Sequence, residues 1–232
     1  MTITMDRARG CLVGQAVGDA LGAPIEGLTR QRIRACQGQV RDYLDAGKLW
    51  LGRLGRAHLP GLYTDDTQQA LVLADVLVEN RRFVAEAAQR KFLELARPAP
   101  GLPWGTHRHA GSTFRAALRR MEAGTPVLQT GLPSAGNGAA MRVAPIGLWY
   151  AGDDEELLRA TIQASLQTHT DPRSIGSAVA VACLVGHLAT RPVTSLEAEH
   201  LALQAAISCV RQAESVLAGE YGISMDGENP HP

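Results

Sequence analysis

The spacing of apolar residues along the chain is that of a helical protein. Apolar side chains return every three or four residues in most long segments, and no segment of useful length alternates between apolar and polar residues as a half-buried strand does. The pattern predicts helices over residues 6–22, 66–79, 82–96, 112–123, 153–168, 172–189 and 195–218. We therefore expect an all-α fold with one compact multi-helix domain over residues 1–222, followed by a polar C-terminal tail at 223–232.

The first predicted helix carries a glycine at every fourth position: Gly10, Gly14, Gly18 and Gly22. Residues four apart share one face of a helix. Because glycine is costly in an exposed helix, this glycine stripe predicts that another backbone approaches closely along that face. The alternative is a helix that ends early, near Gly18, with Asp19 and the following residues in a loop.

Two stretches show no periodic pattern. Residues 23–62 scatter glycines and prolines among charged side chains, which predicts a long irregular segment that is either functional or mobile. Residues 131–140, with the sequence GLPSAGNGAA, predict a loop of small residues that opens into an apolar run. Such a loop can present its backbone amides to an anionic group such as a diphosphate, or it can be an ordinary turn between helices.

Composition narrows the class of partner. The chain has 23 basic and 23 acidic side chains, so no charge excess favours binding to nucleic acid or to an anionic membrane. The four cysteines are scattered without a C-x-x-C pair, and we interpret them as reduced, mostly buried thiols. The apolar N-terminal stretch is interrupted by Gln15 and Asp19 and does not resemble a signal peptide or a membrane span, so we expect a cytoplasmic protein.

Two adjacent carboxylates stand out in the segment YTDDTQQALVLADVL. Thr64 or Asp65 can cap the helix that begins near Asp66, and an acid in the first turn also favours the helix dipole. Capping explains one carboxylate but not two, since neighbouring carboxylates repel each other unless a cation neutralises them. Mg²⁺ and Mn²⁺ take oxygen ligands of this kind. From this segment alone, a cap and a metal site both remain open.

A histidine precedes another helix start in the segment THTDP. Asp171 is a suitable N-cap residue and Pro172 suits the first helical position, so much of this segment is explained by helix initiation. His169 lies just before the cap. A single histidine in that position is more often structural than functional, and the segment by itself does not decide between the two roles.

Four segments, taken in order, resemble the ADP-ribosylglycohydrolase family, which includes the dinitrogenase reductase activating glycohydrolases. The segments are GCLVGQAVGDALGAPIEG, YTDDTQQALVLADVL, SAGNGAAMRVAPIGLWY and THTDPRSIGSAVAVACLV, and they extend over about residues 6–190. The resemblance implies an all-α fold with two Mg²⁺ or Mn²⁺ ions at the base of a cleft. It also implies hydrolysis of the glycosidic bond between ADP-ribose and an acceptor, such as an arginine or serine side chain.

The resemblance also implies roles for particular residues. Thr64, Asp65 and Asp66 would be metal ligands, and Glu26 would lie on a mobile loop that gates the metal centre. Asp65, Asp66 or Glu26 would accept a proton during catalysis. The diphosphate would be cradled by Ser134, Ala135, Gly136, Asn137 and Gly138. His169 would contact ADP-ribose near its phosphates and proximal ribose.

The sequence departs from the family pattern at one point. The family has a second metal motif, an Asp-x-Asp-Thr run near its C-terminus, and this sequence has none, so we expect a C-terminally shortened domain. One explanation is an active hydrolase of ADP-ribosylated proteins or small-molecule ADP-ribose conjugates, in which Asp19, Glu26 or a neighbouring subunit supplies the missing metal ligands. Alternatively, it is a weak or inactive module that binds ADP-ribose or a related nucleotide, or a truncated product in which the glycine-rich helix has lost a packing partner and forms a homodimer.

Overall fold

The computed structural model describes residues 3–45, 60–98, 105–191 and 193–224, and within these ranges it contains nine α-helices and no β-strand. The helices are α1 (Met5–Gly22), α2 (Arg30–Gln37), α3 (Asp65–Asn80), α4 (Ala85–Ala96), α5 (Ser112–Glu122), α6 (Ala144–Trp149), α7 (Asp154–Leu166), α8 (Pro172–Thr190) and α9 (Leu196–Tyr221). Single 3₁₀ turns lie at Ala23–Ile25, Val127–Gln129 and Ala140–Arg142. The predicted all-α class is confirmed.

The core is built around α8, which packs most extensively against α9, α6 and α7. Two glycines permit the close approach of α6 and α8. A Cβ atom on Gly147 would lie 2.3 Å from the backbone oxygen of Ala182, and one on Gly186 would lie 2.9 Å from the oxygen of Gly147. Since real Cβ atoms do not approach other atoms so closely, a larger residue at either position would push the two helices apart.

Helix α8 is also long and apolar enough, by length and composition alone, to cross a membrane, with a mean hydropathy of 1.3. Half of that apolar window is buried inside the fold. Ile175, Val179 and Ala182 on this helix are fully buried. The packing explains the apolar composition of α8, because a helix covered on several sides by other helices needs apolar residues on each of those sides.

The cysteines follow the predicted pattern only in part. Cys183 and Cys209 are buried in the contact between α8 and α9, whereas Cys11 is half-buried and Cys36 is exposed. All four are free thiols. The prediction of mostly buried thiols therefore holds for the two cysteines on core helices and is wrong for Cys36, because α2 buries none of its residues.

The glycine stripe of α1 does not mediate close packing within the described part of the chain. A Cβ atom added at Gly10, Gly14, Gly18 or Gly22 would meet nothing within 4 Å outside its own helical surroundings. The helix also continues to Gly22 instead of ending near Gly18. Both interpretations of the stripe are therefore wrong for this chain by itself, and its packing on a second copy stays a prediction.

The segment predicted to be irregular, residues 23–62, contains a helix. α2 begins after Thr29, whose hydroxyl accepts a hydrogen bond from the Arg32 amide at 3.2 Å, and ends at Gly38, which has φ of +65°. No residue of this helix is buried. A helix that buries nothing leaves no apolar period in the sequence, which explains why the pattern missed it. Residues 46–59 lie outside the described residues.

Candidate active site

A cleft with a volume of about 900 Å³ brings together most of the predicted site residues. Its walls include the C-terminal half of α1, the N-terminal end of α3, residues 109–115 and the loop 136–138. Of the predicted residues, the lining contains Glu26, Thr64, Asp65, Asp66, Gly136, Asn137, Gly138 and His169. A cavity of this size is in the range that accommodates small-molecule ligands, for which about 300–1,000 Å³ is usual.

The cap of α3 comes from α1. Asp19 Oδ2 accepts hydrogen bonds from the backbone amides of Thr64 at 2.9 Å and Thr67 at 3.0 Å. The Thr64 hydroxyl donates to Asp19 Oδ1 and the Thr67 hydroxyl donates to Asp19 Oδ2, both at 2.6 Å. Thr64 occupies the N-cap position but makes no side-chain capping bond of its own. The expectation that Thr64 or Asp65 caps the helix is therefore wrong, because the Thr67 amide in the first turn is already bonded to Asp19, and Asp65 is the first helical residue.

With the cap supplied by Asp19, Asp65 and Asp66 line the cleft at the start of α3. Burial, which is the largest cause, and the charges of Asp66, Glu26 and Asp19 together raise the pKa of Asp65 to about 7. The pKa of Asp66 is also raised, first by burial and then by the charge of Asp19. The carboxylates are thus held together in a partly buried place where their negative charges are poorly compensated.

The chemistry of these groups fits one side of a site for a hard divalent cation. Asp65 and Asp66 supply carboxylate oxygens, and the Thr64 hydroxyl lies 3.2 Å from Asp66 Oδ2. A bound cation would remove the repulsion that raises both pKa values. Within the described ranges, however, no group of three or more histidine, cysteine, aspartate and glutamate residues is placed to hold a metal ion. Asp19 does not complete the site, because both of its oxygens are engaged in capping α3.

The small-residue loop lies directly on His169. Leu132 and His169 form an isolated parallel bridge, in which the Leu132 amide donates to the Thr168 oxygen at 3.1 Å and the Thr170 amide donates to the Leu132 oxygen at 2.8 Å. A Cβ atom on Gly138 would lie 2.7 Å from Cε1 of the His169 ring. The two segments that sequence reasoning treated separately therefore form one wall of the cleft.

Part of the loop supports the wall instead of lining the cleft. The Ser134 hydroxyl receives a hydrogen bond from the Thr113 hydroxyl at 3.1 Å and from the Gly136 amide at 3.4 Å. The Ser174 hydroxyl donates to the Gly136 oxygen at 2.7 Å, which ties the loop to α8. Ser134 and Ala135 are outside the lining of the cleft, so the structure does not place them with the other predicted diphosphate contacts.

Sequence reasoning missed a buried arginine behind this wall. Arg142 is fully buried, and it donates hydrogen bonds to Gln69 Oε1 at 2.7 Å, the Ala164 oxygen at 2.8 Å and the Thr168 hydroxyl at 2.6 Å. Burial lowers its pKa to about 10, while the charge of Asp65 acts in the opposite direction. The guanidinium remains charged near neutrality, so it places one positive charge behind the acidic end of the cleft.

Gln15 is a second residue that the motifs did not indicate. Its amide nitrogen donates to the Asp66 oxygen at 3.1 Å and to the Met141 oxygen at 2.8 Å. Its Oε1 is buried and has no hydrogen-bond partner. Gln15 thus joins α1 to the start of α3 and to the turn beneath the cleft. Its only signal in the sequence is a polar side chain within the otherwise small and apolar residues 10–18 of the helix.

In the described ranges the fold is all-helical, and its cleft is lined by two adjacent aspartates and by a glycine-rich loop. The sequence model of the ADP-ribosylglycohydrolase family matches residues 1–226, and the chain belongs to that family.

The chain is similar to several named relatives and to a solved structure. The ADP-ribosyl-[dinitrogen reductase] glycohydrolase of Rhodospirillum rubrum is 35% identical over 186 residues, which are 79% of this chain and 58% of that protein. The ADP-ribosylhydrolase ARH3 of Bos taurus is 30% identical over 84% of this chain and 52% of that protein. A solved structure called an ADP-ribosylglycohydrolase-related protein complex superposes with a TM-score of 0.60 and 31% identity, covering 79% of this chain and 56% of that one. The chain spans a little over half the length of these relatives.

Proposed function

We propose that the chain is a hydrolase of ADP-ribose conjugates, with Mg²⁺ or Mn²⁺ as its cofactor. The observation that carries this proposal is the meeting of Asp65 and Asp66 with the Gly136–Gly138 loop and His169 in one cleft of about 900 Å³. Family membership supports the same class of reaction. The substrate would be an ADP-ribosylated protein or a small-molecule ADP-ribose conjugate.

The two sides of the cleft suit opposite ends of such a substrate. The small residues of the loop leave room for the diphosphate of ADP-ribose, and the buried Arg142, bonded to Thr168, adds a positive charge close to His169. Burial, followed by the charge of Arg142, lowers the pKa of His169 to about 4. A neutral ring beside the loop adds a hydrogen-bonding group without a second charge. The distal ribose would then lie towards Asp65 and Asp66.

The acidic side would carry the chemistry. Asp65, Asp66 and the Thr64 hydroxyl would hold the divalent cation, which when bound lowers the pKa of a water molecule and orients hydroxyl groups. Cleavage of the glycosidic bond develops positive charge at the anomeric carbon, which nearby carboxylates stabilise. Asp65, Asp66 and Glu26 are the candidates to accept the proton of the attacking water. Glu26 lies on the exposed rim of the cleft, whereas the two aspartates are partly buried.

Peptides ADP-ribosylated on arginine or on serine provide the test. The chain is incubated with each peptide in Mn²⁺, Mg²⁺ or EDTA, and released ADP-ribose is measured. We expect release that depends on the metal and is lost in Asp66→Asn. Asp75→Asn is a matched control, because Asp75 lies on the same helix with a side chain that is 67% exposed. Absence of metal-dependent release from both peptides would contradict the proposal, and binding of ADP-ribose without release would identify a binding module.

A further inference from the structure

Three residues form a buried hydrogen-bonded chain that ends at the cleft. Arg142 Nη2 lies 2.6 Å from the Thr168 hydroxyl oxygen, and that oxygen lies 2.8 Å from Nδ1 of His169. Arg142 and Thr168 are fully buried, and His169 is 3% exposed. Water is therefore excluded from these contacts, and the protons must be shared among the three side chains and the neighbouring backbone.

The chemistry of each group determines where the hydroxyl proton goes. A guanidinium only donates hydrogen bonds, so the Thr168 oxygen accepts from Arg142. The single hydroxyl proton of Thr168 is then directed either to the Ser165 oxygen at 3.4 Å or to Nδ1 of His169 at 2.8 Å. The Ser165 oxygen already accepts hydrogen bonds from the backbone amides of Thr168 at 2.9 Å and His169 at 2.8 Å, so it is a poor acceptor for the hydroxyl proton and Nδ1 is the better one. When Thr168 donates to Nδ1, that nitrogen has no proton, and the proton of the neutral ring is on Nε2.

The other ring nitrogen faces the glycine loop. Cβ atoms added at Gly138 and Gly136 would lie 3.1 Å and 3.8 Å from Nε2 of His169. Both glycines line the cleft, as does His169. A proton on Nε2 is therefore directed towards the place where an anionic group would lie against the loop.

We propose that Thr168 is a positioning residue which, held by Arg142, fixes His169 in the Nε2-protonated neutral form, so that the ring donates a hydrogen bond to a phosphate oxygen bound on the Gly136–Gly138 loop. The phosphate part rests on the proposed function. The assignment of the ring proton does not, because it follows from the contacts of the chain alone. Burial and the charge of Arg142, which lower the pKa of His169 to about 4, keep the ring neutral near pH 7.

The first test is the protonation of the ring in the ligand-free wild-type chain at pH 7. Long-range proton–nitrogen correlation spectra of the ¹⁵N-labelled protein distinguish the two neutral forms of a histidine, and His169→Gln identifies the signals of this ring by their loss. We expect a proton on Nε2 and none on Nδ1. A proton on Nδ1 in the wild type would overturn the proposal, whatever the chain binds.

The second test compares two substitutions of the same hydroxyl. Thr168→Val removes the hydroxyl at nearly constant volume, and Thr168→Ser keeps it. We expect Thr168→Val to weaken ADP-ribose binding about tenfold or more, as for the loss of one hydrogen bond to a charged group, and Thr168→Ser to retain wild-type affinity.

Equal affinity in the two folded variants would overturn the positioning role. If the wild type itself does not bind ADP-ribose, the proposed function fails, and the spectrum of the wild-type ring decides the proton assignment independently.

Discussion

Asp19 is the residue whose removal most directly tests how the site is assembled. It lies near the end of α1 and accepts four hydrogen bonds from Thr64 and Thr67 at the start of α3. Asp19→Ala removes all four acceptors. Asp19→Asn keeps one oxygen in nearly the same place, which can still accept from the two backbone amides, but it loses the negative charge at the helix N-terminus.

The magnitude follows from these contacts. Loss of an N-cap costs about 0.5–2 kcal/mol of unfolding free energy, and hydrogen bonds to a charged group contribute about 1.5–3 kcal/mol each when they are isolated. The four bonds share one carboxylate that is only partly buried, so their contributions overlap and do not add. We expect Asp19→Ala to destabilise the chain by about 2–3 kcal/mol and Asp19→Asn by about 1 kcal/mol.

Denaturant titration at pH 7, followed by circular dichroism, measures these differences through the transition midpoint and slope. Asp75→Ala is the matched control, because it removes an aspartate from α3 that lies 3.9 Å from the Lys91 amine and is largely exposed. We expect that control to change stability by less than about 0.5 kcal/mol. If Asp19→Ala unfolds at the same denaturant concentration as Asp75→Ala, Asp19 is not the cap of α3, and Asp65 and Asp66 remain candidates for capping the helix.

Three further predictions concern the two walls of the cleft and the glycine stripe. The pKa of Asp65 is raised from 3.8 to about 7, so the folded state gains stability from this group as the pH falls from about 7 to about 4. The pKa of His169 is lowered from 6.5 to about 4, so the folded state loses stability from this group as the pH falls from about 6.5 to about 4. In EDTA, the unfolding free energy of Asp65→Asn should therefore fall more steeply on acidification than that of the wild type, and that of His169→Gln should rise relative to the wild type. Unfolding free energies that change in parallel with pH in all three proteins would contradict this. Gly138→Ala should weaken ADP-ribose binding in calorimetric titration, because its Cβ would lie 2.7 Å from the His169 ring, and unchanged affinity would show that the ring has room to move. The added Cβ of Gly14→Ala has no atom within 4 Å, and alanine is the better helix former, so the substitution should raise the unfolding free energy by about 0.5–1 kcal/mol. Destabilisation would instead reveal a partner packed on the glycine stripe.

The helices that bury an apolar face were predictable from the sequence. The apolar period of residues 172–189 predicts α8 to within one residue, since the helix runs from Pro172 to Thr190 with Asp171 as its cap. α2 was not predictable in this way, because it buries no residue and owes its limits to Thr29 and Gly38. Periodicity detects a helix through the face it buries, so a fully exposed helix escapes detection.

The candidate site was predictable as a set of segments, but not as an arrangement. The motifs indicated that Asp65, Asp66 and His169 belong to the same site. Nothing in local spacing indicated that Asp19 caps α3 from 45 residues away, or that Arg142 is a fully buried cation. Both depend on tertiary contacts between distant segments, and an arginine in an apolar run is ordinarily expected at the surface.

The central claim is that Asp65 and Asp66 hold a divalent cation opposite a loop that binds the diphosphate of ADP-ribose. A crystal of the chain soaked with Mn²⁺ and ADP-ribose tests it directly, because the anomalous signal of manganese locates each ion and the electron density identifies every ligand. We predict manganese bound by carboxylate oxygens of Asp65 and Asp66, with the diphosphate against Gly136–Gly138 and within hydrogen-bond distance of His169 Nε2. Manganese elsewhere, or a diphosphate away from the loop with both aspartates unliganded, would contradict the account.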